Sequence, residues 1–315
     1  MQIITPNKGG FALFTEKRLT KAYLKAPRIP FNENSKFVFF SDTHRGDDSI
    51  SDEFARNQTL VISALRYYYD QGYTYVELGD GDELWEHMSF KHIRTAHIDV
   101  FTVLKRFYQE QRMIMIYGNH NIYLKNPNYV KYNYTSFYDE YQERQVPLFP
   151  GIKPLEAIVL QHDETKQEIF ALHGHQGDFL NDQFWIASML ALRYFWKFMH
   201  IVGFRNPASP AKNQAKRHKI EKNYAKWIEK YQVMLICGHT HRFKFPKRNQ
   251  YPYFNTGCGI HTKGVSCIEI LDNKILLIQW RILADQRGRL HVVRRIIHGP
   301  KNINDFSKYQ GQNLR

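Results

Sequence analysis

The sequence predicts an α/β fold, and three observations predict it. Short continuous apolar runs recur, at Lys36-Phe37-Val38-Phe39-Phe40-Ser41, Tyr73-Thr74-Tyr75-Val76-Glu77-Leu78 and Arg112-Met113-Ile114-Met115-Ile116-Tyr117. Stretches of helical length separate them, from about Glu53 to Gln71 and from about Ile93 to Glu110. Each run ends in a polar turn. Buried strands joined by helical lengths describe a sheet fed by crossover helices.

The elements follow in order. Residues 1–35 are polar and broken by Pro6, Pro27 and Pro30, so they read as an irregular arm or a short strand ahead of the main domain. The three strand–helix units come next. After a loop-rich region, Leu155–Gln161 and Glu168–His173 read as a hairpin. Residues from about Asp182 to Gln232 read as a helical insert, and Val233-Met234-Leu235-Ile236-Cys237 returns to the sheet. Tyr253 to Ile297 reads as successive β segments. The expected organisation is an arm (1–35), a main domain (36–298) with the insert at about 182–232, and a loosely ordered tail (299–315).

Composition narrows the class. Hydrophobic residues make up 43% of the 315, enough for a sizeable core. No run of eighteen apolar residues is present, so no spanning helix is expected. Met1-Gln2-Ile3-Ile4-Thr5-Pro6 lacks the basic and apolar regions of a secretion signal. Three cysteines, Cys237, Cys258 and Cys267, make no disulfide framework. A cytoplasmic protein with free thiols is the expectation. The 44 Lys and Arg exceed the 30 Asp and Glu by 14, which favours anionic partners such as a phosphate ester, an acidic lipid surface or nucleic acid.

The chemistry lies where the strands end. The first run ends in Asp42-Thr43-His44, the second in Gly79-Asp80 and the third in Gly118-Asn119-His120. The strand before His173 ends in His173-Gly174-His175, and the one through Cys237 ends in Gly238-His239-Thr240-His241. Open α/β sheets place their sites outside the carboxyl ends of strands. In extended backbone, residues i and i+2 point to one side, so Asp42 can share a cation with His44, and His239 and His241 can face one pocket. Carboxylate, imidazole and amide oxygen together suit Zn, Mn or Fe(II) better than calcium. Singly, Asp-x-His or Gly-Asp is an ordinary turn. Five such endings, each after an apolar strand, form a constellation. His175, between Gly174 and Gln176-Gly177, reads either as a partner behind the ligands or as a turn residue, and the surrounding glycines favour the turn.

This constellation resembles the calcineurin-like metallophosphoesterase superfamily, over about residues 36 to 265. The resemblance implies a four-layered α/β/β/α sandwich with a dinuclear site. It implies one divalent ion held by Asp42, His44, Asp80 and His241, and a second held by Asp80, Asn119, His173 and His239. Asp80 would bridge the two ions (Mn, Fe or Zn), and His120 would be the proton donor or transition-state stabiliser. Such paired cations clamp the attacking and leaving oxygens of an in-line displacement and activate a hydroxide. The implied activity is hydrolysis of a phosphate or pyrophosphate ester. Phosphomonoesters, phosphoproteins and nucleic-acid diesters are alternative substrates for the same machinery, and a non-catalytic metal-binding scaffold is the rival of another class.

Finer details resemble the UDP-2,3-diacylglucosamine pyrophosphohydrolase branch. They are Gly79-Asp80-Gly81-Asp82-Glu83-Leu84-Trp85, His173-Gly174-His175-Gln176-Gly177-Asp178 and Asn255 to Gly264 with its His261-Thr262 pair. His120 departs from that branch, which carries Arg there. The insert holds ten Lys and Arg against three Asp and Glu, a net +7. Its first half, Phe184 to Trp196, is apolar and aromatic. Packing against the core is one reading of that half; the other is a lid that takes an acyl chain or meets an anionic membrane surface at the inner face. A nucleic-acid groove is the less favoured partner. Oligomeric state is not legible.

Overall fold

The computed structural model describes residues 8–140, 142–196, 213–247 and 249–311. The chain begins with α1 (Lys8–Lys25) and β1 (Arg28–Phe31). Then β2 (Phe37–Phe40), α2 (Gln58–Asp70), β3 (Thr74–Leu78), α3 (Phe90–Ala96), α4 (Ile98–Gln109) and β4 (Met113–Ile116) alternate. Helix α5 (Pro127–Asn133) and a small hairpin, β5 (Ser136–Asp139) with β6 (Arg144–Pro147), lead to a second hairpin, β7 (Ala157–His162) with β8 (Glu168–Leu172). Short helices α6 (Phe179–Gln183) and α7 (Trp185–Leu190) precede α8 (Gln214–Tyr231). Strands β9 (Met234–Cys237), β10 (Tyr253–Asn255), β11 (Val265–Leu271), β12 (Lys274–Ala284) and β13 (Leu290–Asn302) close the fold.

Two sheets carry the architecture. The first has the order β1-β7-β8-β9-β10 and the second β13-β12-β11-β2-β3-β4. Strands β2, β3 and β4 are mutually parallel, as are β8, β9 and β10, so both sets of carboxyl ends emerge together at one edge of each sheet. One buried cluster runs from α1 and α8 through the first sheet to the near face of the second; another joins the far face of the second sheet to α2 and α4. Strand β2 shows the two-residue alternation that divides them. Phe37 and Phe39 enter the first cluster, Val38 and Phe40 the second. The result is the α/β/β/α sandwich.

Four expectations change in detail. The N-terminal arm is not irregular: residues 8–25 form α1, and β1 pairs in parallel with β7. Leu19, Ala22, Tyr23 and Ala26 recur at i, i+3, i+4 and i+7 and are buried, giving the helix one apolar face. Pro27 and Pro30 follow that helix rather than interrupting it. The tail after Gly299 is also ordered through residue 311, because Ile303, Phe306 and Tyr309 are buried. The single helix expected at about 93–110 is two, α3 and α4, parted at His97, whose buried ring reaches Asp52 Oδ2 at 2.7 Å. The expected run of β segments from Tyr253 divides between the sheets, with β10 in the first.

The insert lies partly outside the described residues, at 197–212. Its described parts do two things. Trp185 and Met189 pack with Trp85, Leu192 and Tyr123, while Phe184, Ile186, Leu190 and Tyr194 face solvent. Arg193 holds this segment down by donating to the carbonyls of Trp85 (2.8 Å) and Leu84 (3.1 Å). Helix α8 buries Ile220, Tyr224, Trp227 and Ile228 and turns its basic residues outward.

Candidate metal centre

Each strand that carries a motif ends, and the chain then turns sharply. Asp42, His44, Asp80, His239 and His241 all have left-handed backbones, with φ between 45° and 65°. Residues with a Cβ rarely adopt this conformation, and each costs about 1–3 kcal/mol unless its surroundings impose it. The surroundings do so here. Asp42 N–H donates to Gly79 O (3.1 Å), His44 N–H to Asp80 O (2.9 Å) and Gly238 N–H to His173 O (2.8 Å), tying the strand ends to one another. Gly118 can be nothing larger, since a Cβ there would lie 2.1 Å from Asp80 Oδ1.

These turns gather two clusters of donor atoms. Asp42, His44 and His241 form one, and Asp80, His173 and His239 the other; within each, the ligand atoms lie within 4.8 Å of one another. Asp80 reaches both, with Oδ2 3.0 Å from His173 Nε2 and 3.9 Å from His44 Nε2. That is the position a bridging carboxylate needs. Asn119 is buried on the neighbouring strand end.

Hydrogen bonds select the atoms left for a cation. Asp42 Oδ2 accepts from Ser41 and from His239 N–H (2.9 Å), leaving Oδ1. Asp80 Oδ1 accepts from His120 N–H (2.8 Å), leaving Oδ2. His173 Nδ1–H donates to Leu78 O (3.0 Å) and His44 Nδ1–H to Glu83 Oε2 (2.7 Å), so Nε2 is the nitrogen of each ring left for a cation. His239 Nε2 faces Asp178 Oδ2 at 3.3 Å, which leaves Nδ1. Fixing the other ring nitrogen is how proteins orient metal-binding imidazoles.

The test of fit is what remains unpaired. Asp42 Oδ1, His173 Nε2 and both amide atoms of Asn119 are buried with no hydrogen bond. Yet Asp42 Oδ1 is 3.1 Å from His241 Nε2, and His44 Nε2 is 3.2 Å from His241 Nε2. Buried polar atoms are ordinarily satisfied. The approach of Asp42 Oδ1 to His241 Nε2 without a hydrogen bond is what atoms converging on a cation show, and nitrogen with oxygen donors suit a transition metal or zinc.

Electrostatics agrees. Burial alone would raise the Asp42 carboxyl, but the imidazoles of His241 and His173 outweigh it and hold it at about 2. Burial likewise opposes a charged His44, yet Glu83, Asp80 and Asp42 together raise its pKa to about 10. The carboxylates thus draw positive charge into the site, the charge that bound cations would supply.

His120 belongs to neither cluster but adjoins the first, forming with His44 and Glu83 a third group whose ligand atoms lie within 4.8 Å of one another. Its Nδ1–H points at Glu83, 2.7 Å from Oε2 and 2.9 Å from Oε1. Its ring stacks on Trp85 at 4.2 Å and meets His44 edge-on at 4.6 Å. Nε2 is the nitrogen left for a substrate. Glu83 therefore grips both His120 and His44, and it also accepts from the backbone N–H of Trp85 and Glu86. His175 forms a one-turn helix with Gln176 and Gly177 and is buried, its ring beside that of His173.

Sequence reasoning assigned no role to three groups around this site. Glu83 is one, although its place three residues after Asp80 was a signal. Asp178 is the second, gripping His239 while accepting from Lys216 of α8 at 2.7 Å. The third is Arg45 with Glu77 and Asp82: Arg45 is fully buried, donates to Glu77 at 2.6 and 3.0 Å and to Asp82 at 2.7 Å, and links the β2 turn to the β3 turn. No spacing rule marks such a network.

A two-sheet sandwich whose strand ends hold paired His and Asp clusters is the architecture of a metallophosphoesterase. Residues 35–243 match the model of the calcineurin-like phosphoesterases, and the chain belongs to that family. Among solved structures, Vps29 of Chaetomium thermophilum is similar at 11% identity, over 84% of this chain and 96% of that one, with a TM-score of 0.35. A cold-active protein-tyrosine phosphatase of the psychrophile Shewanella sp. is similar at 11% identity, over 85% and 82%, with a TM-score of 0.40. A search of the curated proteins finds no match.

Proposed function

We propose that this phosphoesterase hydrolyses a nucleotide-linked or lipid-linked pyrophosphate at a dinuclear site built from Asp42, His44, Asp80, Asn119, His173, His239 and His241. The observation that carries the site is the set of buried, unpaired donor atoms on either side of Asp80. Two divalent cations bound there would supply Lewis-acid charge for the phosphoryl oxygens and activate water.

The chain's own groups do the rest. Asp80 holds both clusters in register. Asn119 offers a neutral oxygen to the second cluster. Glu83 takes the Nδ1 proton of His120 and Trp85 fixes the plane of its ring, so Nε2–H is aimed outward to protonate or steady a leaving oxygen.

The pyrophosphate reading rests on the segments quoted above and on the insert. Its helix α7 packs on Trp85, next to His120, and Phe184, Ile186, Leu190 and Tyr194 on and around that helix are exposed. An acyl chain or an anionic lipid surface suits those apolar side chains together with the outward basic residues of α8. No helix of the described residues is long and apolar enough to cross a membrane.

The test is hydrolysis by metal-stripped protein, with and without manganese, of p-nitrophenyl phosphate, bis-p-nitrophenyl phosphate, UDP-linked acylated glucosamine and single-stranded DNA. Manganese-dependent turnover with the UDP-lipid preferred is expected. Preference for DNA or the simple diester removes the pyrophosphate reading. Equal turnover without metal removes the dinuclear site.

A further inference from the structure

Beside the metal centre, Arg242 and the loop after β10 carry positive charge that forms no ion pair among the described residues. The chain after His241 runs antiparallel to the end of β10: Lys244 and Asn255 exchange backbone hydrogen bonds at 3.0 Å, which sets Arg242 opposite Gly257. From there the loop crosses the site. Gly259 N–H donates to Asp42 O (3.0 Å), and Gly259 packs so closely on Thr43 that a Cβ would lie 2.7 Å from Thr43 Cγ2. Asn57 Nδ2 holds the loop from below, donating to the carbonyls of Gly259 (2.7 Å) and His261 (3.2 Å). His261 Nδ1 accepts from Lys263 N–H (3.1 Å), so its Nε2 faces away from its own loop.

Arg242, His261 and Lys263 are exposed, and His261 lies close enough to both Arg242 and Lys263 to feel their charge. Burial, Arg242 and Lys263, in that order, push the His261 pKa down, which registers a positive field at that ring. None of the three makes an ion pair among the described residues, although other surface cations do, such as Lys230 with Glu16 and Arg289 with Asp285. Cations gathered on a pinned loop without a counter-ion cost stability and suit an anion from solution.

We propose that Arg242, His261 and Lys263 form an anion subsite at the rim of the metal centre, which receives a second phosphate next to the one being cleaved. The proposal rests on the phosphoesterase reading and deepens it. It assigns the substrate to the diphosphates, in which two phosphoryl groups are adjacent, rather than to simple monoesters. The guanidinium of Arg242 provides a fork matched to two phosphate oxygens, and Lys263 provides a mobile point charge.

The experiment is calorimetric titration of the manganese-loaded full chain with UDP and with UMP, at constant excess manganese. The wild-type protein binds UDP about tenfold or more tightly than UMP, and the Arg242→Gln/Lys263→Gln double variant narrows that gap to less than about threefold. Arg242→Lys, which keeps the charge, keeps most of the gap. Thermal unfolding of each variant reports whether the fold is retained, and Lys263→Gln alone, on the exposed loop, gives an intermediate gap. Equal affinities in the wild type, or a gap that survives the double substitution in folded protein, overturns the subsite. Failure of the phosphoesterase reading shows separately, as absence of manganese-dependent hydrolysis of p-nitrophenyl phosphate by the wild type.

Discussion

Glu83→Gln removes a single charge and keeps the side chain's shape, so its effect isolates what the carboxylate does. In the native site Glu83 accepts from two imidazoles, His44 Nδ1 and His120 Nδ1, each at 2.7 Å. A carboxylate only accepts, so both rings carry hydrogen on Nδ1, which leaves Nε2 of His44 for a cation and Nε2 of His120 for the substrate. An amide has one oxygen and one NH₂. With its oxygen kept where Oε1 accepts from the backbone N–H of Trp85 and Glu86, the NH₂ takes the Oε2 place and faces both Nδ1 atoms, so the ring it donates to must accept at Nδ1 and carry its proton on Nε2.

If that ring is His44, it loses the lone pair aimed at the Asp42–His241 cluster, and metal affinity falls. If it is His120, the proton donor loses its backing, and kcat falls. Outer-shell substitutions of this kind cost about 10- to 100-fold in affinity or activity. The assay is manganese titration of p-nitrophenyl phosphate hydrolysis, with kcat and the metal midpoint read from the same curves. Thermal stability should change little, because the buried volume is conserved. A Glu83→Gln protein with kcat and metal midpoint both within twofold of wild type would refute the reasoning.

Other perturbations separate the roles further. Asp80→Ala should abolish turnover and empty both clusters, read as metal per chain by elemental analysis; full occupancy of either cluster would argue against a bridge. His120→Ala should lower kcat by roughly 10²- to 10⁴-fold while metal content holds; loss of metal instead would make His120 a ligand. Arg45→Met should destabilise the chain by about 3–5 kcal/mol in urea, since Glu77 and Asp82 would be buried without their cation; a smaller loss than an exposed arginine gives would sink that account. Acid should act partly through Asp182, whose carboxyl would rise on burial but is held below its ordinary value by the Arg18 hydrogen bond. That contribution is present above about pH 4 and is lost as pH falls through the depressed folded value, so Asp182→Asn should flatten the acid limb of a stability–pH curve; an unchanged limb counts against it.

The parts of this molecule that were legible in sequence share one property: they obey a local period or end a strand. Phe37–Phe40 alternates between two cores, and Asp42, Asp80, Asn119, His173, His239 and His241 each lie within four residues of the end of an apolar run. The misread parts depend on partners distant in sequence. Helix α1 was obscured by nearby prolines, although its apolar face had the right spacing. The tail reads as loose because its three anchors, Ile303, Phe306 and Tyr309, are separated by polar residues. His97 divides a helix only because Asp52 and Gln58 receive its ring. Glu83, Asp178 and Arg45 act through contacts that no spacing announces.

The left-handed turns explain why those hidden partners exist. Five strained residues at one edge would cost about 1–3 kcal/mol apiece if they stood alone. A strand end free to relax would swing its ligand away from the others. Arg45 prevents this between β2 and β3. It follows His44 directly, its own N–H donates to Gly81 O at 2.9 Å, and its guanidinium spans Glu77 within β3 and Asp82 beyond it. Asp82 is fixed in turn by Tyr134 at 2.7 Å. A hydrophobic residue of similar size could fill the same space but could not couple the two turns directionally. The buried ion network therefore does for the backbone what Glu83 and Asp178 do for the imidazoles: it holds donors in place against their mutual repulsion before any cation arrives.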